Sequence, residues 1–158
     1  MNWRTARVSV SGRPTPIESL ALESGAETAV DVEKILVIHN NEPRSQQALG
    51  QILVPAGYDV VGVAYPPVTV MEAFLKTKPA LVVLDIGLSG KPVEDLCRKL
   101  RGESREVTIF VLGSSNEVED KVSLLNLGAD DYMTKPIDGA EFLARVTTRT
   151  NWLTRRRR

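Results

Sequence analysis

Glu33-Lys-Ile-Leu-Val-Ile-His-Asn-Asn-Glu-Pro43 is the stretch on which the fold turns. Ile35 to Ile38 make a short unbroken apolar run rich in β-branched side chains. Such a run suits a strand buried on both faces of a parallel sheet. Polar residues follow at once: His39, Asn40 and Asn41. Pro43 then opens a helical pattern, with Ala48, Leu49, Ile52 and Leu53 at helical spacing and Gly57 as its stop. The stretch therefore reads as a buried strand, a polar strand end and the start of a helix.

The same unit recurs down the chain. Tyr58 to Ala64 is a second run, followed by a helix over Val68 to Lys76 entered through Pro66-Pro67. Ala80 to Leu84 is a third, stopping at Asp85. Its helix, Pro92 to Leu100, carries Val93, Leu96, Cys97 and Leu100 on one face. Val107 to Leu112 is a fourth, ending at Gly113; the helix Glu117 to Leu127 has Val118, Val122, Leu125 and Leu127 apolar and Gly128 after its end. Asp131 to Thr134 is a weaker fifth run, and Asp138 caps a last helix to about Trp152. Five strands alternating with five helices predict a doubly wound α/β fold with right-handed crossovers. Ligands of such folds meet the carboxyl ends of the strands. Asn40, Asn41, Asp85, Gly113 and Lys135 fall there.

Composition bounds the function. The chain has 158 residues, 42% hydrophobic and 25% charged, which is ordinary for a globular domain. Twenty basic residues balance twenty acidic ones, so the chain is not built mainly to coat nucleic acid. The single cysteine, Cys97, excludes an internal disulfide and a Cys-based zinc site. The single histidine, His39, leaves nothing for a His-rich metal site. No run reaches the roughly 18–20 apolar residues of a membrane span, and no secretion signal is legible, so a cytoplasmic address is expected. Residues 1–32 read as a flexible extension, with a short helix near Ile17–Glu23, residues 33–152 as the folded domain, and residues 153–158 as a basic tail.

Three stretches carry a family resemblance: Leu127-Gly-Ala-Asp-Asp-Tyr-Met-Thr-Lys-Pro136, Pro79-Ala-Leu-Val-Val-Leu-Asp-Ile-Gly-Leu88, and Asn41-Glu-Pro43 with its helix ending at Gly57-Tyr58. Over about Lys34 to Arg149 the chain resembles the receiver domain of two-component response regulators, closest to receivers of winged-helix regulators. The resemblance implies a flavodoxin-like parallel sheet of five strands in order 2-1-3-4-5, with helices on both faces. It also implies that Asp85 stands where the family accepts a phosphoryl group from a histidine kinase. A gapless fit puts Asn40 and Asn41 where the family has two Mg²⁺-binding acids. A one-residue shift puts His39 and Asn40 there instead, again without an acid. Gly113 replaces the family's Ser or Thr at the end of the fourth strand. Lys135 matches the lysine and Tyr132 the aromatic switch.

These departures leave two readings of Asp85. It is the phospho-acceptor, or it is half of a buried ion pair with Lys135. Mg²⁺ is a hard cation held by carboxylates, water and phosphate oxygens, and amide oxygens bring it no charge. With Asp85 and Lys135 cancelling, the demand for a cation is gone, so no cofactor is expected; Mg²⁺ enters only if the domain still accepts phosphate. Ser114 and Ser115 stand beside the missing hydroxyl, but an offset of one residue on an extended chain turns a side chain away.

The resemblance also implies a homodimer face on the fourth helix, fifth strand and fifth helix. Lys121, Asp130, Asp131, Glu141 and Arg145 match its charged positions, and Leu124 or Leu125 with Phe142 or Ala144 would supply an apolar centre. The leading expectation is a non-enzymatic, degenerate receiver acting through protein partners and self-association. The alternatives are a phospho-accepting receiver in a phosphorelay, and a DNA-associated transcriptional regulator. Nucleic acid is not expected as a partner without a further domain; Arg155 to Arg158 alone read as a solvated tail.

Overall fold

The structure is a computed structural model and describes residues 32–40, 43–85, 91–114 and 116–156. The expectations for residues 1–31, for Asn41 and for Ser115 lie outside these residues. The elements are β1 (Lys34–His39), α1 (Pro43–Leu53), β2 (Asp59–Ala64), α2 (Pro67–Thr77), β3 (Leu81–Asp85), α3 (Lys91–Glu103), β4 (Thr108–Gly113), α4 (Val118–Asn126), β5 (Asp131–Thr134) and α5 (Gly139–Arg156). The five strands form one parallel sheet in the order β2-β1-β3-β4-β5. This is the doubly wound α/β fold that the alternating pattern predicts, in the strand order that the resemblance implies.

The sheet is buried on both faces, as its unbroken apolar strands require. Alternate side chains go to opposite sides. Leu36, Ile38, Val82, Leu84, Ile109 and Val111 pack with Val70, Phe74, Val93, Leu96, Leu100 and Leu124 from α2, α3 and α4. Ile35, Val37, Leu81, Val83, Phe110 and Leu112 pack with Leu49 and Leu53 of α1 and Phe142 and Val146 of α5. Phe110 and Phe142 meet edge to face with ring centroids 5.3 Å apart. Cys97 is fully buried, and loss of hydration pushes its thiol up to about 11.

Helix ends follow the sequence signals. Gly57 and Gly128 hold positive φ of 96° and 117° after α1 and α4, a conformation that glycine adopts without steric cost. Asp138 caps α5 through its carboxylate, which accepts from the Glu141 N–H at 2.9 Å. Two features differ from the expectation. Helix α5 runs on to Arg156, past the boundary drawn at residue 152. Among the apolar residues of α4, Val118, Val122 and Leu125 are 70%, 47% and 44% exposed. Leu124 alone on that helix is buried among the described core.

Candidate functional site

Parallel strands bring their carboxyl ends to one edge of the sheet. Asp85 ends β3, and its Cα partner across the ladder is His39, the last residue of β1. Gly113 ends β4. One residue beyond β5, Lys135 continues the ladder, its N–H donating to the Gly113 carbonyl at 2.8 Å. This pairing carries the Lys135 side chain over the edge, where its Nζ meets Asp85 Oδ1. The carboxylate side chain is 2% exposed and the ammonium end is 29% exposed. A carboxylate so buried needs a compensating charge, and Lys135 supplies it.

His39 is buried level with Asp85. Its carbonyl accepts from the Tyr65 N–H at 2.8 Å, and its Nδ1 meets Nε2 of the buried Gln46 on α1. Burial holds the imidazole below its usual value of 6.5, and the Asp85 charge opposes this less strongly. A neutral imidazole with an amide N–H donated to Nδ1 is the consistent arrangement. Asn40 follows the strand and is exposed. The register therefore sets His39 opposite Asp85 and Asn40 one residue beyond it.

The described side chains do not suit a hard divalent cation. Asp85 has its charge matched by Lys135, and its cross-strand neighbour is a nitrogen heterocycle. Among the described residues, no group of three or more His, Cys, Asp or Glu comes together to hold a metal. Ser114 is exposed. Gly113 has no side chain, and the Tyr132 ring lies where its Cβ would be.

On the face of α4, β5 and α5 the charged residues are satisfied within the chain. Arg145 donates to Asp131 at 2.8 Å and to Glu141 at 2.9 Å, and the Glu141 hydrogen bond is the first cause holding its guanidinium above its usual value. The Lys121 ammonium lies 5.6 Å from the centre of the Tyr132 ring. Asp130 points into the opposite end of the sheet, accepting from Arg101 and from the Ile109 N–H, both at 2.8 Å. Leu124 and Phe142 belong to the core, which leaves Leu125 and Ala144 as the exposed apolar pair.

Two residues escaped the sequence reading. Arg101 donates to the carbonyls of Ser104, Arg105, Val107 and Gly128 as well as to Asp130, tying α3 to β4 and to the turn before β5. Gln46 fixes the His39 ring. Neither has a sequence signal, since a cation or an amide on a helix face looks like any solvated residue.

An acid at the end of β3 and a lysine after β5, on a 2-1-3-4-5 sheet, define a receiver of the flavodoxin-like class. The chain belongs to the response regulator receiver domain family, which matches residues 35–147. It is 38% identical over 114 residues to the "Probable transcriptional regulator ycf27" of Porphyridium aerugineum, a match covering 72% of this chain and 46% of that protein. The chain thus spans about half the length of that relative. Among solved structures, it is similar to a two-component response regulator from Clostridium difficile, with 28% identity, a TM-score of 0.68, and 75% and 96% of the two chains covered. It also resembles a CheY-like receiver domain protein from Methanospirillum hungatei JF-1, with 21% identity, a TM-score of 0.70, and coverage of 79% and 98%. Domains of this family are signalling modules and not enzymes. Among the described residues, no helix is long and apolar enough to cross a membrane.

Proposed function

We propose that this receiver signals through protein contacts without an aspartyl phosphate. The observation that carries this reading is the Asp85–Lys135 pair with His39 as the cross-strand partner of Asp85. Phosphoryl transfer to a carboxylate builds negative charge that a metal must offset. Here Asn40 replaces one acid at the strand end, Asn41 follows it in sequence, and the cross-strand neighbour is neutral. Asp85 is the structural partner of Lys135, and COOH-edge chemistry is not its role.

The output is self-association through α4, β5 and α5. Val118, Val122 and Leu125 lie at i, i+4 and i+7, one exposed stripe on α4, the helix that also carries Lys121. An apolar stripe rimmed by paired charges fits an isologous two-fold contact. The partners are proteins, including a second copy, in the cytoplasm. Residues 33–152 act as the receiver unit.

Two other readings each rest on one observation. Asp85 and Lys135 are both retained at the strand ends, which favours a phospho-acceptor fed by a histidine kinase. The longer relative, of which the match covers 46%, is a probable transcriptional regulator by name, which favours a role in a DNA-associated regulator. Amide NMR during titration with Mg²⁺ and then beryllofluoride separates the first two. Unmoved signals at Asp85, Gly113 and Lys135 are expected; saturable shifts there return the site to phosphate chemistry.

A further inference from the structure

Gly113 closes β4 within the ladder, paired to Thr134, while Tyr132 pairs to Val111 two residues earlier. The Tyr132 side chain is half-buried against the core cluster on the α2–α3–α4 side of the sheet and reaches along the strand towards Gly113. A Cβ placed on Gly113 would collide with the phenolic oxygen, and would sit 2.8 Å from Cζ and 3.1 Å from Cε2. These atoms belong to a rigid ring that is half-buried against the core. Gly113 does not hold a positive φ; only Gly57 and Gly128 do among the described glycines. Its backbone therefore does not call for glycine, and glycine inside a strand weakens it. What the position calls for is space, and the tyrosine occupies that space.

We propose that Gly113 and Tyr132 form a steric lock, in which the ring is seated permanently against the bare backbone of β4. The lock deepens the phosphate-independent reading and rests on it for its consequence: the α4–β5–α5 face is held in one state whatever happens at Asp85. Tyr132 is well placed for this. The Lys121 ammonium of α4 approaches the centre of its ring, and its backbone N–H donates to the Asp131 carboxylate that also holds Arg145 of α5. Seating the ring at Gly113 thus fixes both helices of the face to β5.

A four-variant melting experiment tests the lock: wild type, Gly113→Ala, Tyr132→Ala and the double variant. Gly113→Ala should lower the melting temperature by roughly 4 °C or more when Tyr132 is present, and not at all in the Tyr132→Ala background. If Gly113→Ala does not fold, the double variant should fold. Equal losses in both backgrounds, or two unfolded chains, overturn the lock. A second measurement uses fluorotyrosine NMR of the wild type, which has three tyrosines, with Tyr132→Phe to assign the signal. One Tyr132 resonance, unmoved by acetyl phosphate and Mg²⁺, is expected; a second resonance or a shift overturns it. Intact mass of the same sample reports Asp85 separately. A phosphorylated chain with an unmoved Tyr132 signal refutes the phosphate-independent reading and leaves the lock standing.

Discussion

Removing either half of the Asp85–Lys135 pair should destabilise the fold, and the two losses should be unequal. Opposite charges 4 Å apart attract by roughly 4 kcal/mol at an effective dielectric of about 20, and this pair is closer than that. Desolvation offsets part of the attraction, and the two ends are offset differently. The Asp85 side chain is 2% exposed, so in Lys135→Ala it becomes a buried carboxylate with no cation, at a cost of about 3 kcal/mol. The Lys135 side chain is 29% exposed, so in Asp85→Ala its ammonium turns to water and the cost falls to about 1–2 kcal/mol. At roughly 4 °C per kcal/mol, Lys135→Ala should melt about 12 °C below wild type and Asp85→Ala about 4–8 °C below. The double variant should lose less than the sum, because neither charge is then stranded. Thermal melts of the four chains at neutral pH decide it. An Asp85→Ala variant as stable as wild type or more so, as expected of a site crowded with carboxylates, would refute the ion-pair reasoning.

Further outcomes follow from the same structure. Because burial holds His39 below 6.5 in the fold, the unfolded chain binds its proton first, and stability should fall as pH drops below about 6.5; His39→Gln should lack this limb in urea melts at pH 5.5 and 7.5, and an unchanged slope would count against it. Arg101→Met keeps the stem but leaves Asp130 without its cation and the carbonyls of Val107 and Gly128 without this donor, so the urea midpoint should drop by the equivalent of about 2–3 kcal/mol. Arg145→Glu places a third acid beside Asp131 and Glu141; sedimentation should show a wild-type dimer and a monomeric variant, and a wild type monomeric at high micromolar concentration would remove the self-association proposal.

The fold was legible because β1, β3 and β4 are continuous apolar runs bounded by a polar or glycine residue, and Gly57 and Gly128 mark where α1 and α4 stop. The face Val93, Leu96, Cys97 and Leu100 is buried as its spacing implies. The strand ends also followed from sequence, because in a parallel sheet they must share one edge, and Asp85 meets Lys135 there. Fine register was harder. A run of apolar residues ending in His39, Asn40 and Asn41 does not say which of the three stands opposite Asp85; the ladder pairs His39 with it. The α4 face was ambiguous for another reason: Val118, Val122 and Leu125 have the spacing of a core stripe but face outward. Gly113 looked like a missing hydroxyl, and its meaning as space for Tyr132 depends on a ring two residues away on the next strand. Asp130 and Arg101 meet across a sequence separation of 29, which no local pattern encodes.

The central claim is that Asp85 does not carry a phosphoryl group. Incubation of the chain with acetyl phosphate and millimolar Mg²⁺, followed by intact mass under non-hydrolysing conditions, tests it most directly. An unmodified mass is expected, the same with and without Mg²⁺. A stoichiometric phosphoryl adduct that requires Mg²⁺ and disappears in Asp85→Asn would contradict it.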